Sequence, residues 1–63
     1  MTADPLLTTE QVAERIGVTP EALEHWRYRG AGPPWLKLSH KVVRYRQSEL
    51  ERWLDSRTRR STA

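Results

Sequence analysis

The chain has 63 residues, three tryptophans, two tyrosines, no cysteine and a formal net charge of +3. That length allows one domain with a small core, and the absence of cysteine excludes both a disulfide framework and a thiolate zinc site as its staple. His25 and His40 lie far apart with no evident ligand partners, so neither metal nor cofactor is expected, and the aromatics and seven leucines must hold the fold.

Residues 1–5 are expected to fray. Thr8 can then cap a first helix, with Gln11 three residues on completing a capping box, and Leu7 and Val12 are spaced as a hydrophobic staple. Val12, Ala13 and Ile16 share one face, and Gly17 stops the helix. The punctuation repeats at once. Thr19 caps a second helix, Pro20 takes its first position, Val18 and Leu23 form another staple, Leu23 and Trp26 face inward, and Gly30 ends it. Two short helices joined at a glycine form a helix-turn-helix arrangement.

A Gly/Pro loop from Gly30 to Pro34 leads to two alternating runs, Trp35–Leu38 and Val42–Arg46, joined by Ser39-His40-Lys41. The alternation predicts a β-hairpin with Val43 and Tyr45 on one face and Val42, Arg44 and Arg46 on the other. A third helix is predicted from about Gln47 to Ser56, with Leu50, Trp53 and Leu54 as its inner stripe. Trp26, Tyr45 and Trp53 are assigned to the core. Trp35 is open to two readings: cover for the base of the hairpin, or a partly exposed side chain. Residues 57–63 form a basic tail with no large apolar side chain, expected to be disordered. The domain is thus placed at 6–56, mainly α with a small β-hairpin.

Charge divides the chain. Residues 1–26 hold one basic and five acidic side chains, net −4; residues 27–63 hold ten basic and three acidic, net +7. A basic half of this kind suits a polyanion. Catalysis is not expected. No Ser/His/acid set has suitable spacing, no phosphate-binding glycine loop is present, and Glu49 and Glu51 flank a helix turned to solvent. No apolar run approaches the ~20 residues of a membrane span, and Met1–Asp4 has an acid where a leader would be basic, so a cytoplasmic protein is the expectation.

The order of these elements resembles the excisionase-type and MerR-type winged helix-turn-helix domains, including AlpA-like prophage regulators. Four stretches carry the resemblance: Leu6–Ala13; Ile16–Pro20; Trp26–Gly30 with Gly32-Pro33-Pro34; and Val43–Arg46 leading into Leu50–Leu54. It covers roughly residues 6–54. It implies a winged helix-turn-helix that binds double-stranded DNA, with the second helix in the major groove and the hairpin as a wing along the backbone. On that placement Thr19, Pro20, Glu21, Glu24, His25, Tyr28 and Arg29 form the recognition-helix set. Arg27, Lys37, His40, Lys41, Arg44 and Arg46 form the wing and backbone set. Two departures stand out. Glu21, Glu24 and His25 occupy positions that are often basic or hydroxyl-bearing in relatives, and the wing turn carries one formal charge, Lys41.

The role implied first is that of an excisionase, a recombination directionality factor that binds and bends DNA at attachment sites. Its implied partners are a phage-type integrase and further copies of itself on DNA, and its place is the nucleoid. A small transcription regulator uses the same fold. A protein-interaction adaptor is the remaining alternative, and the net +7 of the second half argues against it.

Overall fold

Two antiparallel strand pairs share one strand, and the three helices assemble around it. The structure, a computed structural model, describes residues 3–58. The elements in chain order are β1 (Leu6–Leu7), α1 (Thr9–Ile16), α2 (Pro20–Arg29), β2 (Leu36–Ser39), β3 (Val42–Arg46) and α3 (Gln47–Arg57). The sheet order is β1-β3-β2, so the last strand to appear in the chain is the central one.

The local signals predicted for α1 and α2 are realised. The Thr8 hydroxyl accepts from the Gln11 N–H at 3.1 Å, and the Gln11 side chain accepts from the Thr8 N–H at 2.8 Å. Gly17 adopts φ 77°, where a side chain would be strained, and this left-handed residue lets the chain leave α1 and enter α2 within three residues. The Thr19 hydroxyl accepts from the Ala22 N–H at 3.1 Å, and Pro20 opens α2. Gly32 serves a different need. Its φ is 83°, and a Cβ there would sit 2.9 Å from Cε3 of Trp26, so the loop can lie on the indole only as glycine.

Leu7, Val12, Ala13, Leu23, Tyr45 and Leu50 form the buried core, with Ile16, Val18, Trp26, Val43, Trp53 and Leu54 packed against it half-buried. Each helix contributes to it, as do β1 and the central strand β3. Trp53, assigned to the core from sequence, lies at its edge: its ring centroid is 6.1 Å from that of Trp26, tilted by 43°, and the Arg57 guanidinium lies 5.3 Å from its centre.

Several boundaries differ from expectation. The hairpin strand is Leu36–Ser39, and the turn is His40-Lys41. Lys37 pairs with Val43 and Ser39 with Val42, so Leu38 is an extra residue in a β-bulge. The bulge breaks the alternation that would have put Leu38 with half-buried Leu36; Leu38 is exposed. Arg57 is helical and Thr58 closes α3, its hydroxyl donating to the Leu54 carbonyl at 3.0 Å. The remainder of the expected tail, residues 59–63, lies outside the described residues.

The segment expected to fray holds the largest difference. The Pro5 carbonyl accepts from the Gln47 N–H at 3.0 Å, extending the β1–β3 ladder into α3. Asp4 then caps that helix from 44 residues away: its carboxylate accepts from the Ser48 N–H at 3.0 Å and from the Ser48 hydroxyl at 2.8 Å. Arg46, the residue at the helix start, supplies no side-chain cap of its own. Met1 and Thr2 lie outside the described residues.

The two Ser48 hydrogen bonds hold the Asp4 carboxyl below its ordinary value of 3.8, with Arg46 and Arg52 adding attraction. A depressed folded-state value means that the carboxylate's contribution is fully present above pH 3.8 and is lost as pH falls through the lower folded value. Asp4→Ala is therefore expected to melt below the wild type at pH 7, with the gap closing under acid. A pH series of thermal melts checks this; a gap unchanged at pH 2 would dissociate the cap from the charge. Trp53→Ala is expected to cost about 2–4 kcal/mol, somewhat less than a fully buried tryptophan. Chemical denaturation measures it, and a loss below about 1 kcal/mol would mean that the Trp26–Trp53 contact does not hold α3.

Candidate nucleic-acid interface

The α2 helix buries one edge and leaves the other open. Leu23 is fully buried and Trp26 half-buried, so the residues between them in helical phase face outward. Glu21, Glu24, His25 and Arg29 are exposed, and Tyr28 is 85% exposed, near the centre of that face. Thr19 and Pro20 stand at its N-terminal end, where Thr19 is engaged as the cap and Pro20 is half-buried. An exposed aromatic flanked by acids, a histidine and an arginine presents both donors and acceptors.

The hairpin stands beside this face, and the two enclose a groove of about 630 Å3. Glu24 and Tyr28 form its helix side; Lys37, His40 and Lys41 form its wing side; Arg27, Trp35 and Val43 lie between them. A smaller recess of about 230 Å3 shares Glu24, Arg27 and Lys41 and runs on past Pro20 and Arg44 to the start of α1 at Thr9 and Glu10. The structure thus brings together members of both predicted sets: Pro20, Glu24 and Tyr28 from the helix, with Arg27, Lys37, His40, Lys41 and Arg44 from the rest. Glu21, His25 and Arg29 line neither space.

The three arginines of the second set behave differently from one another. Arg44 is half-buried and donates to the Val43 carbonyl at 2.7 Å. Arg46 is set apart from the groove: its guanidinium pairs with Glu49 one turn into α3 at 3.2 Å, beside the Asp4 cap. Predicted on the outer face of the wing, it lies at the opposite end of β3 from the turn. Arg27 reaches inward. Its Nη1 donates to the Tyr45 hydroxyl at 2.7 Å and to the Thr9 hydroxyl at 3.4 Å, and its guanidinium lies 5.8 Å from the centre of the Trp35 ring. It joins α2, β3 and α1 as well as facing the groove.

Sequence reasoning did not find Tyr45 and Thr9 as partners of Arg27. The alternation of β3 puts Tyr45 in the core, where it is, with 1% exposure. The clue was chemical: a buried tyrosine hydroxyl needs a hydrogen-bond partner, and the chain offers few long donors. Of the two readings for Trp35 the structure shows the partly exposed one: the residue is 41% exposed, with the Arg27 guanidinium 5.8 Å from its ring centre.

Arg27, Lys37, Lys41 and Arg44 surround the groove and its recess, against the carboxylates of Glu24 and Glu10. The balance favours an anion, and the length of the combined surface suits an extended one. Among the described residues no cluster of histidine and carboxylate side chains could hold a metal ion, and no helix is long and apolar enough to cross a membrane.

No curated protein matches the chain. Residues 6–58, which include the paired helices, the wing and α3, match the helix-turn-helix domain family. The chain belongs to that family, which includes the AlpA- and excisionase-type small DNA-binding proteins, and it is a winged member of it.

Proposed function

We propose that the chain is a sequence-specific binder of double-stranded DNA acting as a recombination directionality factor. The observation that carries the DNA-binding part is the groove shared by the recognition face of α2 and the basic wing. With α2 in the major groove, Glu21, Glu24, His25, Tyr28 and Arg29 face base edges. Glutamate accepts from the cytosine amino group, arginine donates to guanine, and neither glutamate gains from phosphate. The wing lies along the backbone, and Lys37 and Lys41 meet phosphates or the adjacent minor groove. Specificity and affinity are therefore divided between helix and hairpin.

The directionality role rests on the likeness to excisionase-type proteins. Such a protein performs no reaction of its own. Several copies bound side by side bend the attachment site and steer a phage-type integrase toward excision. Bending costs a few kcal/mol, offset by protein–DNA and protein–protein contacts that the curved site allows. Its partners are DNA, the integrase and further copies of itself, and its place is the cytoplasm, on the nucleoid.

Selection of bound duplexes from a random pool, followed by an excision assay with a phage-type integrase, tests this reading. Tandem direct repeats and stimulated excision support it. A site of inverted repeats, with no effect on excision, would assign the protein to transcription regulation. No selected duplex would remove the DNA-binding reading.

Two quantitative outcomes are expected. Arg27, Lys37, Lys41 and Arg44 neutralise about four phosphates, so log affinity falls against log salt with a slope of roughly −3.6. A titration series between low and physiological salt measures it, and a flat line contradicts the interface. Glu24→Ala and His25→Ala are expected to change which sites are selected, by about 1–3 kcal/mol per lost base contact. Lys41→Ala is expected to weaken all sites alike. Repeating the selection with each variant shows whether the helix and the wing divide the task in this way.

A further inference from the structure

The groove contains one cation unlike the others. Lys37 and Lys41 are exposed side chains on flexible stems, able to meet phosphates in many geometries. Arg27 is half-buried and already held. Nη1 is bonded to Tyr45 and Thr9, and the plane is backed by Trp35. All three partners are neutral. Among the described residues no carboxylate pairs with Arg27, although Glu24 lines the same groove. Nε and Nη2 make no hydrogen bond among the described residues. A guanidinium taken partly out of water with its charge unmatched is costly, and an anion brought to its open edge relieves that cost.

Resting on the DNA-binding reading above, we infer that Arg27 is a fixed seat for one phosphate, and that the buried Tyr45 hydroxyl is the positioning residue that holds it. The geometry of the duplex supplies the anion. A helix in the major groove and a wing at the neighbouring minor groove have one sugar–phosphate strand between them. That strand must cross the groove in which Arg27 lies. Because Arg27 is anchored from behind, little rotamer freedom is lost on contact, and a planar guanidinium offers two parallel donors to two phosphate oxygens. The lysines supply general attraction; Arg27 sets the register of the protein on the strand. Tyr45, 1% exposed, acts on DNA affinity without touching DNA.

The test replaces single phosphates of the selected duplex, one linkage at a time, by uncharged methylphosphonates. The wild type is expected to lose about tenfold in affinity at one linkage, well beyond its losses elsewhere. In Arg27→Gln that linkage should no longer stand out. Tyr45→Phe keeps every charge and the buried ring. It is expected to bind the unmodified duplex about three- to tenfold more weakly, with an unchanged salt slope and a diminished effect at the same linkage. Lys41→Ala should leave the linkage prominent. Circular dichroism verifies the fold of each variant, and if Arg27→Gln does not fold, Tyr45→Phe decides alone. A wild-type profile with no outstanding linkage overturns the inference, as does a Tyr45→Phe profile identical to the wild type. Both results leave DNA binding itself standing, whereas a wild type that binds no duplex removes the reading on which the inference rests.

Discussion

Tyr45 must be buried and its hydroxyl must be bonded, and these two demands together place the wing. The ring sits on the central strand, opposite Leu7 in the register of β1 and β3 and within the same core as Val12, Leu23 and Leu50. Its hydroxyl accepts from Arg27, which belongs to the recognition helix. A shift of β3 along its length would move the hydroxyl away from the only side-chain donor bonded to it among the described residues. The hairpin continues from that same strand, so the β1 ladder and the core packing that fix β3, together with the Arg27–Tyr45 bond, also set the wing beside α2. A wing attached only by its own turn would be a two-stranded ribbon of marginal stability.

Much of this architecture is legible in the chain because much of it is local. Thr8 with Gln11 and Thr19 with Pro20 are helix starts written within three residues, and Gly17 is a stop of one residue. The hairpin was visible as alternation, and its bulge at Leu38 was not, because no local residue pattern marks an extra residue in a strand that is otherwise regular. β1 is two residues long and carries no period; it exists because β3 offers it an edge. The Asp4 cap depends on Ser48 and the Arg27 bond on Tyr45, separations of 44 and 18 residues that no window spans.

The same distinction holds at the candidate interface. Type and sign were readable: a recognition helix with exposed Glu24, His25 and Tyr28, and a hairpin carrying Lys37 and Lys41. Individual arginines were not. Arg44 and Arg46 alternate correctly on β3, yet one lies in the recess by α1 and the other is engaged by Glu49. Sequence reports that a side chain leaves a strand on a given face. Where a guanidinium on a long stem comes to rest depends on which acceptor lies within reach.

The placement of β3 in the middle of the sheet also bears on how the chain folds as it is made. Synthesis runs from Leu6 toward Arg57, so both helices of the turn motif leave the ribosome before the strand that unites the sheet. Until residues 42–46 emerge, β1 and β2 have no partner, Arg27 has no tyrosine to bond, and Leu7 and Leu23 have only half of their core. When they do emerge, two ladders, the wing and the seat for α3 become available together. The Asp4 carboxylate has by then been waiting for more than forty residues, and α3 meets its cap as soon as its own first turn forms. The protein is thereby biased toward one late, concerted closure instead of stepwise growth from its first helices.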